Sequence, residues 1–146
     1  MEIIVINRQR KVRVKLAWLR RFATEALAEC VHESGDGLFA LKQAPVVEVA
    51  IVTDAVIARV HEDFMDVPGA TDVITFEHGE IVASAETAVR YAAEHGHTPD
   101  EELALYIVHG LLHLNGFDDL EPQAKKRMHA VQDRIWARVR ERVGPK

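Results

Sequence analysis

Two histidines, His109 and His113, stand four residues apart in His109-Gly110-Leu111-Leu112-His113-Leu114-Asn115-Gly116-Phe117-Asp118, with Asp119 next. On a helix this spacing puts both imidazoles on one face, one turn apart, where they can grip one cation. Gly116 ends that helix, because glycine alone takes the left-handed position past a helix end without penalty. The chain can then turn back and bring Asp119 to the same ion. Two nitrogens and one oxygen leave a fourth position open, which distinguishes a catalytic zinc site from a structural one. Asp118 is the alternate oxygen, or an acceptor for the outer N–H of a ligating imidazole. A mixed His/carboxylate set suits zinc and is compatible with iron, manganese or nickel. Helical zinc peptidases carry their glutamate base directly after the first histidine. Here that residue is Gly110, so the scaffold resembles a peptidase and the base is missing.

These residues need a rigid support, and the pattern of the chain supplies one. Thr98-Pro99-Asp100-Glu101 is a strong helix start, with Thr as N-cap, Pro at the first position and Glu closing a capping box. The helix that follows runs through Leu103, Tyr106, Ile107, Leu111 and Leu114 to the metal motif, apolar on nearly every side and therefore central. Strands are expected at Glu2–Asn7, Val46–Val52, Asp72–Phe76 and Glu80–Ala83, the last two joined as a hairpin through His78-Gly79. Further helices are expected from Lys15 to about Ser34, from Asp54 to about Met65 behind the N-cap Thr53, from Ser84 to His95-Gly96, and from Pro122 onward. The last carries Met128, Val131, Ile135 and Val139 on one face. The expected class is α+β: a small mixed sheet of about four strands packed against about five helices, zinc-hydrolase-like, forming one domain over residues 1–146.

Composition narrows the function. The 146 residues are 48% hydrophobic and 28% charged, with a formal net charge of -5 and a single cysteine, Cys30. One cysteine excludes an intramolecular disulfide and a thiolate metal cluster. No apolar run is long enough for a membrane span and no secretory leader opens the chain, so the expected location is cytoplasmic. The charge is unevenly spread. Residues 48–120 hold fifteen Asp/Glu against two Lys/Arg, whereas residues 121–146 hold three against eight. An acidic middle suits a cation. Basic ends are either the solvated faces of terminal helices or a surface for an anionic polymer such as RNA, in which case Arg8, Arg10, Lys11 and Arg13, or Lys125, Lys126 and Arg127, would contact its backbone.

The motif residues resemble the YbeY family, whose pattern H-G-x-L-H-L-x-G-[YF]-D-H aligns with His109 to Asp119. A second family block, T-D-V-L-S-F followed by G-D-I-V, aligns with Thr71-Asp72-Val73-Ile74-Thr75-Phe76 and Gly79-Glu80-Ile81-Val82. The resemblance implies a zinc-dependent endoribonuclease acting on single-stranded RNA in 16S rRNA 3′-end maturation and ribosome quality control. It implies one Zn2+ per chain on His109, His113 and Asp119, and rRNA, the small ribosomal subunit or its assembly factors as partners. Asp119 stands where the family has its third histidine. In the stretch N-x-x-[YF]-R, His61 and Met65 stand where the family has asparagine and arginine, leaving Arg59 as the nearest arginine in sequence. Asp72 and Glu80 are the candidate acid/base residues, since they sit in the second matching block. The alternatives are a non-catalytic ribosome-associated factor with a structural zinc, and a metallopeptidase. His95, His97 and His129 read as surface residues, with His129 a distant fourth metal candidate. Trp18 and Trp136 read as core or groove-lining rather than RNA-stacking.

Overall fold

The computed structural model describes every residue of the chain except Leu38. Among the described residues the elements run β1 (Glu2–Asn7), α1 (Leu16–Cys30), α2 (Ala40–Gln43), β2 (Val46–Val52), α3 (Asp54–Met65), β3 (Val73–Phe76), β4 (Glu80–Ser84), α4 (Ala85–His95), α5 (Pro99–Leu114) and α6 (Pro122–Val143). This is a mixed sheet against helices, as expected. The short α2 is an additional element that four residues are too few to announce by periodicity. Helix α1 also stops at Cys30, short of the expected Ser34.

The sheet order is β1-β2-β4-β3. β1, β2 and β4 are parallel, and β3 joins β4 antiparallel as an edge strand. Alternation along β2 explains the layering. Val47, Val49 and Ile51 enter the main core shared with α1, α5 and α6, while Ala50 and Val52 face a smaller cluster with Ile57, Ile74 and Val82. Successive strand residues point to opposite faces, so one strand feeds both layers.

Helix α5 passes beneath the sheet and is buried along most of its length. Its close approach depends on Gly110, where an added Cβ would lie 2.7 Å from the Ile81 side chain. The glycine that replaces the peptidase glutamate thus faces the sheet. Thr98 and Glu101 form the capping box at the other end of the helix. No described helix is long and apolar enough to cross a membrane.

Candidate metal centre

His109 and His113 lie in the last two turns of α5, and their Nε2 atoms are 3.1 Å apart. Asn115 caps the helix and Gly116 follows at φ +92°. That left-handed residue turns the chain so that Asp119 Oδ2 stands 3.6 Å from His109 Nε2 and 3.5 Å from His113 Nε2. The three atoms come from residues that are all half-buried.

Hydrogen bonding decides what these atoms are. His109 Nδ1 is 2.6 Å from Gln132 Oε1, and His113 Nδ1 is 3.1 Å from the Phe117 carbonyl. Carbonyl oxygens only accept, so each Nδ1 carries the hydrogen and donates. In the neutral imidazoles both Nε2 atoms are then bare lone pairs. Burial pushes the His109 imidazole below its ordinary range; the Gln132 bond opposes this and neighbouring His113 adds to it. Three electron-pair donors therefore converge with no hydrogen among them. Ligands about 2.0–2.1 Å from an ion sit roughly 3.4 Å apart at the corners of a tetrahedron. The 3.1, 3.5 and 3.6 Å separations fit that edge, so the donor set suits a small divalent cation.

The support comes from three remote segments. Gln132 is buried on α6, in the stripe Met128, Gln132, Ile135 and Val139. Its polarity within an apolar stripe is the one sequence signal it carries, and packing had to choose that face; the expected Val131 is only partly buried. Asn115 Nδ2 donates to the Cys30 carbonyl at 2.9 Å and to the Glu33 carbonyl, tying the turn to the end of α1. Gly35 and Gly37 donate their N–H groups to the carbonyls of Asn115 and Gly116, at 3.2 and 2.8 Å. The two backbones are so close that a Cβ on Gly35 would stand 2.1 Å from the Gly116 carbonyl carbon.

The three donor groups open onto a cleft of about 650 Å³ between the β3 edge and the turn after α5. Asp72 lines it beside His109, with Oδ1 accepting from Val73 N at 2.8 Å and from Thr71 Oγ1 at 3.3 Å. Glu80 does not line it; that side chain lies 3.5 Å from His78 on the hairpin. Asp118 also lines the cleft, but its Oδ1 accepts from Leu120 N at 2.8 Å, and the outer imidazole N–H groups go to Gln132 and Phe117 instead. Met65 reaches the cleft, whereas Arg59 does not line it. Arg8 pairs with Glu48 and Lys11 with Glu86, away from the cleft lining. That basic segment meets α5 at its first turn, through Lys15 N and Asp100. Thirteen residues of helix, roughly 20 Å, separate that contact from His113.

His129 is exposed, with its ring centroid 6.5 Å from that of His109. His95 is exposed as expected, but His97 is largely buried and bonded to Glu102. Trp18 is buried and donates to Gly144 O at 2.9 Å; Trp136 donates to Glu101 O at 2.9 Å.

Fold and site together define a class: mixed α/β proteins with a histidine pair on a central helix and a carboxylate brought back past a glycine. The family model described as Endoribonuclease YbeY matches residues 4–140. The chain belongs to that family. It is 35% identical over 113 residues to Endoribonuclease YbeY of Micrococcus luteus, covering 66% of this chain and 72% of that protein. It is 38% identical over 109 residues to the protein of the same name in Mycolicibacterium gilvum, covering 60% and 61%. The chain thus spans about three-fifths to seven-tenths of the length of these relatives. The solution structure of TM1509 from Thermotoga maritima shares the fold, with a TM-score of 0.66 at 24% identity, over 96% of this chain and 90% of that one.

Proposed function

We propose that this chain is a metal-dependent endoribonuclease of rRNA processing, acting on single-stranded RNA with one zinc ion on His109, His113 and Asp119. Membership of the endoribonuclease YbeY family supports the reaction class. The convergence of three bare donor atoms, fixed by Gln132 and the Phe117 carbonyl, is the observation that carries the metal assignment. A divalent ion there supplies Lewis acidity toward a phosphodiester.

The chain's own residues do the rest. Gln132 and Phe117 hold both imidazoles in one tautomer and one orientation. Asp72 is the candidate proton acceptor, because it alone of the two expected carboxylates stands in the cleft. The peptidase alternative lacks support, since Gly110 is packed against Ile81 and no carboxylate can occupy that position without collision. A purely structural zinc is disfavoured by a site with three donors that opens on a cleft, because structural sites are closed by four. The expected setting is the cytoplasm, with the small ribosomal subunit or its assembly factors as partners.

Elemental analysis of protein purified without added metal tests the reading, alongside cleavage of an end-labelled single-stranded RNA. About one zinc per chain is expected in the wild type, lost in His113→Ala and Asp119→Ala together with cleavage. Metal binding that ignores both substitutions would overturn the ligand assignment.

A further inference from the structure

The cleft has an electrostatic problem. Asp72, Glu77, Asp118 and Asp119 line it, and no Lys or Arg is among its described lining residues. One divalent ion offsets two of these four charges. A strand of RNA needs a further cation to be held there. Met65, which also lines it, provides none.

We propose that Arg127, at the second turn of α6, forms a phosphate-binding subsite beside the metal centre, gripping the backbone of a single RNA strand as it leaves the cleft. This rests on the endoribonuclease reading above. A second depression of about 260 Å³ adjoins the cleft and is lined by Asp36 and Arg127. It shares Gly37, Gly116, Phe117 and Asp118 with the cleft, so the two are neighbours. Two of the four shared residues are glycines, which put no side chain in the way of a polymer backbone. The Arg127 guanidinium lies 5.3 Å from the Phe117 ring centroid, and the Phe117 carbonyl holds His113. The subsite and the metal ligands therefore share one rigid residue.

Arg127 is poised to exchange partners. Its Nη2 donates to the Ser34 carbonyl at 2.7 Å and its Nη1 to Asp36 Oδ2 at 3.2 Å. The Asp36 side chain is 92% exposed, so this ion pair is solvent-screened and weak. A phosphate offers the guanidinium fork a better-matched anion. The Ser34 bond and the Phe117 ring keep the guanidinium in place when Asp36 gives way. Asp36 is thus an internal competitor for the subsite.

The test is steady-state cleavage of a labelled single-stranded RNA by the zinc-loaded full chain, over a series of salt concentrations. Arg127→Ala is expected to raise KM about tenfold with kcat within about twofold, and to flatten the log–log salt dependence by about 0.7, the slope for one phosphate on a single strand. Arg127→Lys, which keeps the charge and loses the fork, is expected to fall between. Asp36→Asn is expected to lower KM. If Arg127 only anchored the 34–37 loop through Asp36, both Asp36→Asn and Arg127→Ala would raise KM and depress kcat. That same-direction result overturns the subsite, as does an unchanged salt slope in Arg127→Ala. A wild type that loads zinc but neither binds nor cleaves RNA overturns the reading beneath it as well.

Discussion

A group of two histidines and one carboxylate stands near each end of helix α5, His95, His97 and Glu102 about its start and His109, His113 and Asp119 about its finish. The donor groups are of the same kinds, two imidazoles and a carboxylate, and the chemistry differs. In the second group each Nδ1 gives its hydrogen to an outside carbonyl, from Gln132 or Phe117, so the inward nitrogens are bare. In the first group both imidazoles direct a nitrogen at the same oxygen, Glu102 Oε1, with His95 Nδ1 at 3.4 Å and His97 Nε2 closer. A carboxylate oxygen accepts two hydrogen bonds without strain. The first group is therefore a hydrogen-bonded anchor for a buried acid, and the second is the candidate cation site. What sets the second group apart is the carbonyl that each outer ring nitrogen meets.

The largest expected effect that sets the groups apart is on metal and rate. His113→Ala should lose the bound zinc and reduce RNA cleavage by a factor on the order of 10³, whereas His97→Ala should keep both; parallel elemental analysis and cleavage assays check this. Equal metal loss in the two variants would break the distinction. Gly35→Ala comes next, because its Cβ would meet the Gly116 backbone at 2.1 Å. Roughly 3 kcal/mol of stability should go, read as a lowered denaturant midpoint, along with zinc affinity.

Gln132→Leu keeps the volume and removes the acceptor for His109 Nδ1. It should weaken zinc binding by about 10- to 100-fold in a competition titration while the fold persists. His97→Ala should instead act on stability alone. Glu102 is 2% exposed and loses its nearer donor, at a cost of about 1–3 kcal/mol in chemical denaturation.

The smallest effect concerns acid. Burial would raise Glu101, but bonds from the Thr98 backbone and the Arg140 side chain outweigh it and hold the carboxyl at about 2, below its ordinary 4.5. Its contribution is present above pH 4.5 and is lost as the pH falls toward 2. Thermal melts over that range should show the wild type losing stability, with Glu101→Gln already weakened at neutral pH and less sensitive to acid.

Much of the fold is legible in local signals. β1 and β2 have the bounds that their β-branched runs indicate, and Thr53, Ser84 and Thr98 cap the helices that follow them. The histidine pair is legible because four residues make one helical turn. Gln132 is not legible in this way, since a four-residue spacing through Val131 describes α6 equally well until packing chooses a face. His97 looked like a surface residue because nothing local shows that Glu102, in the first turn of α5, is buried. Asp72 and Glu80 were indistinguishable in sequence. The hairpin separates them, leaving one in the cleft and the other beside His78.

The sequence by itself determined the helix that carries His109 and His113, the glycine that ends it, and the strands and caps that hold it. These are set by hydrogen bonds and side-chain periods within a few residues of one another. Only the tertiary structure decided which nitrogen of each imidazole is bare, which carboxylate reaches them, and which arginine stands by Phe117, whose carbonyl holds His113. Those outcomes depend on Gln132, Asn115, Gly35 and Arg127, which segments distant in sequence bring to the site through core packing and backbone contact.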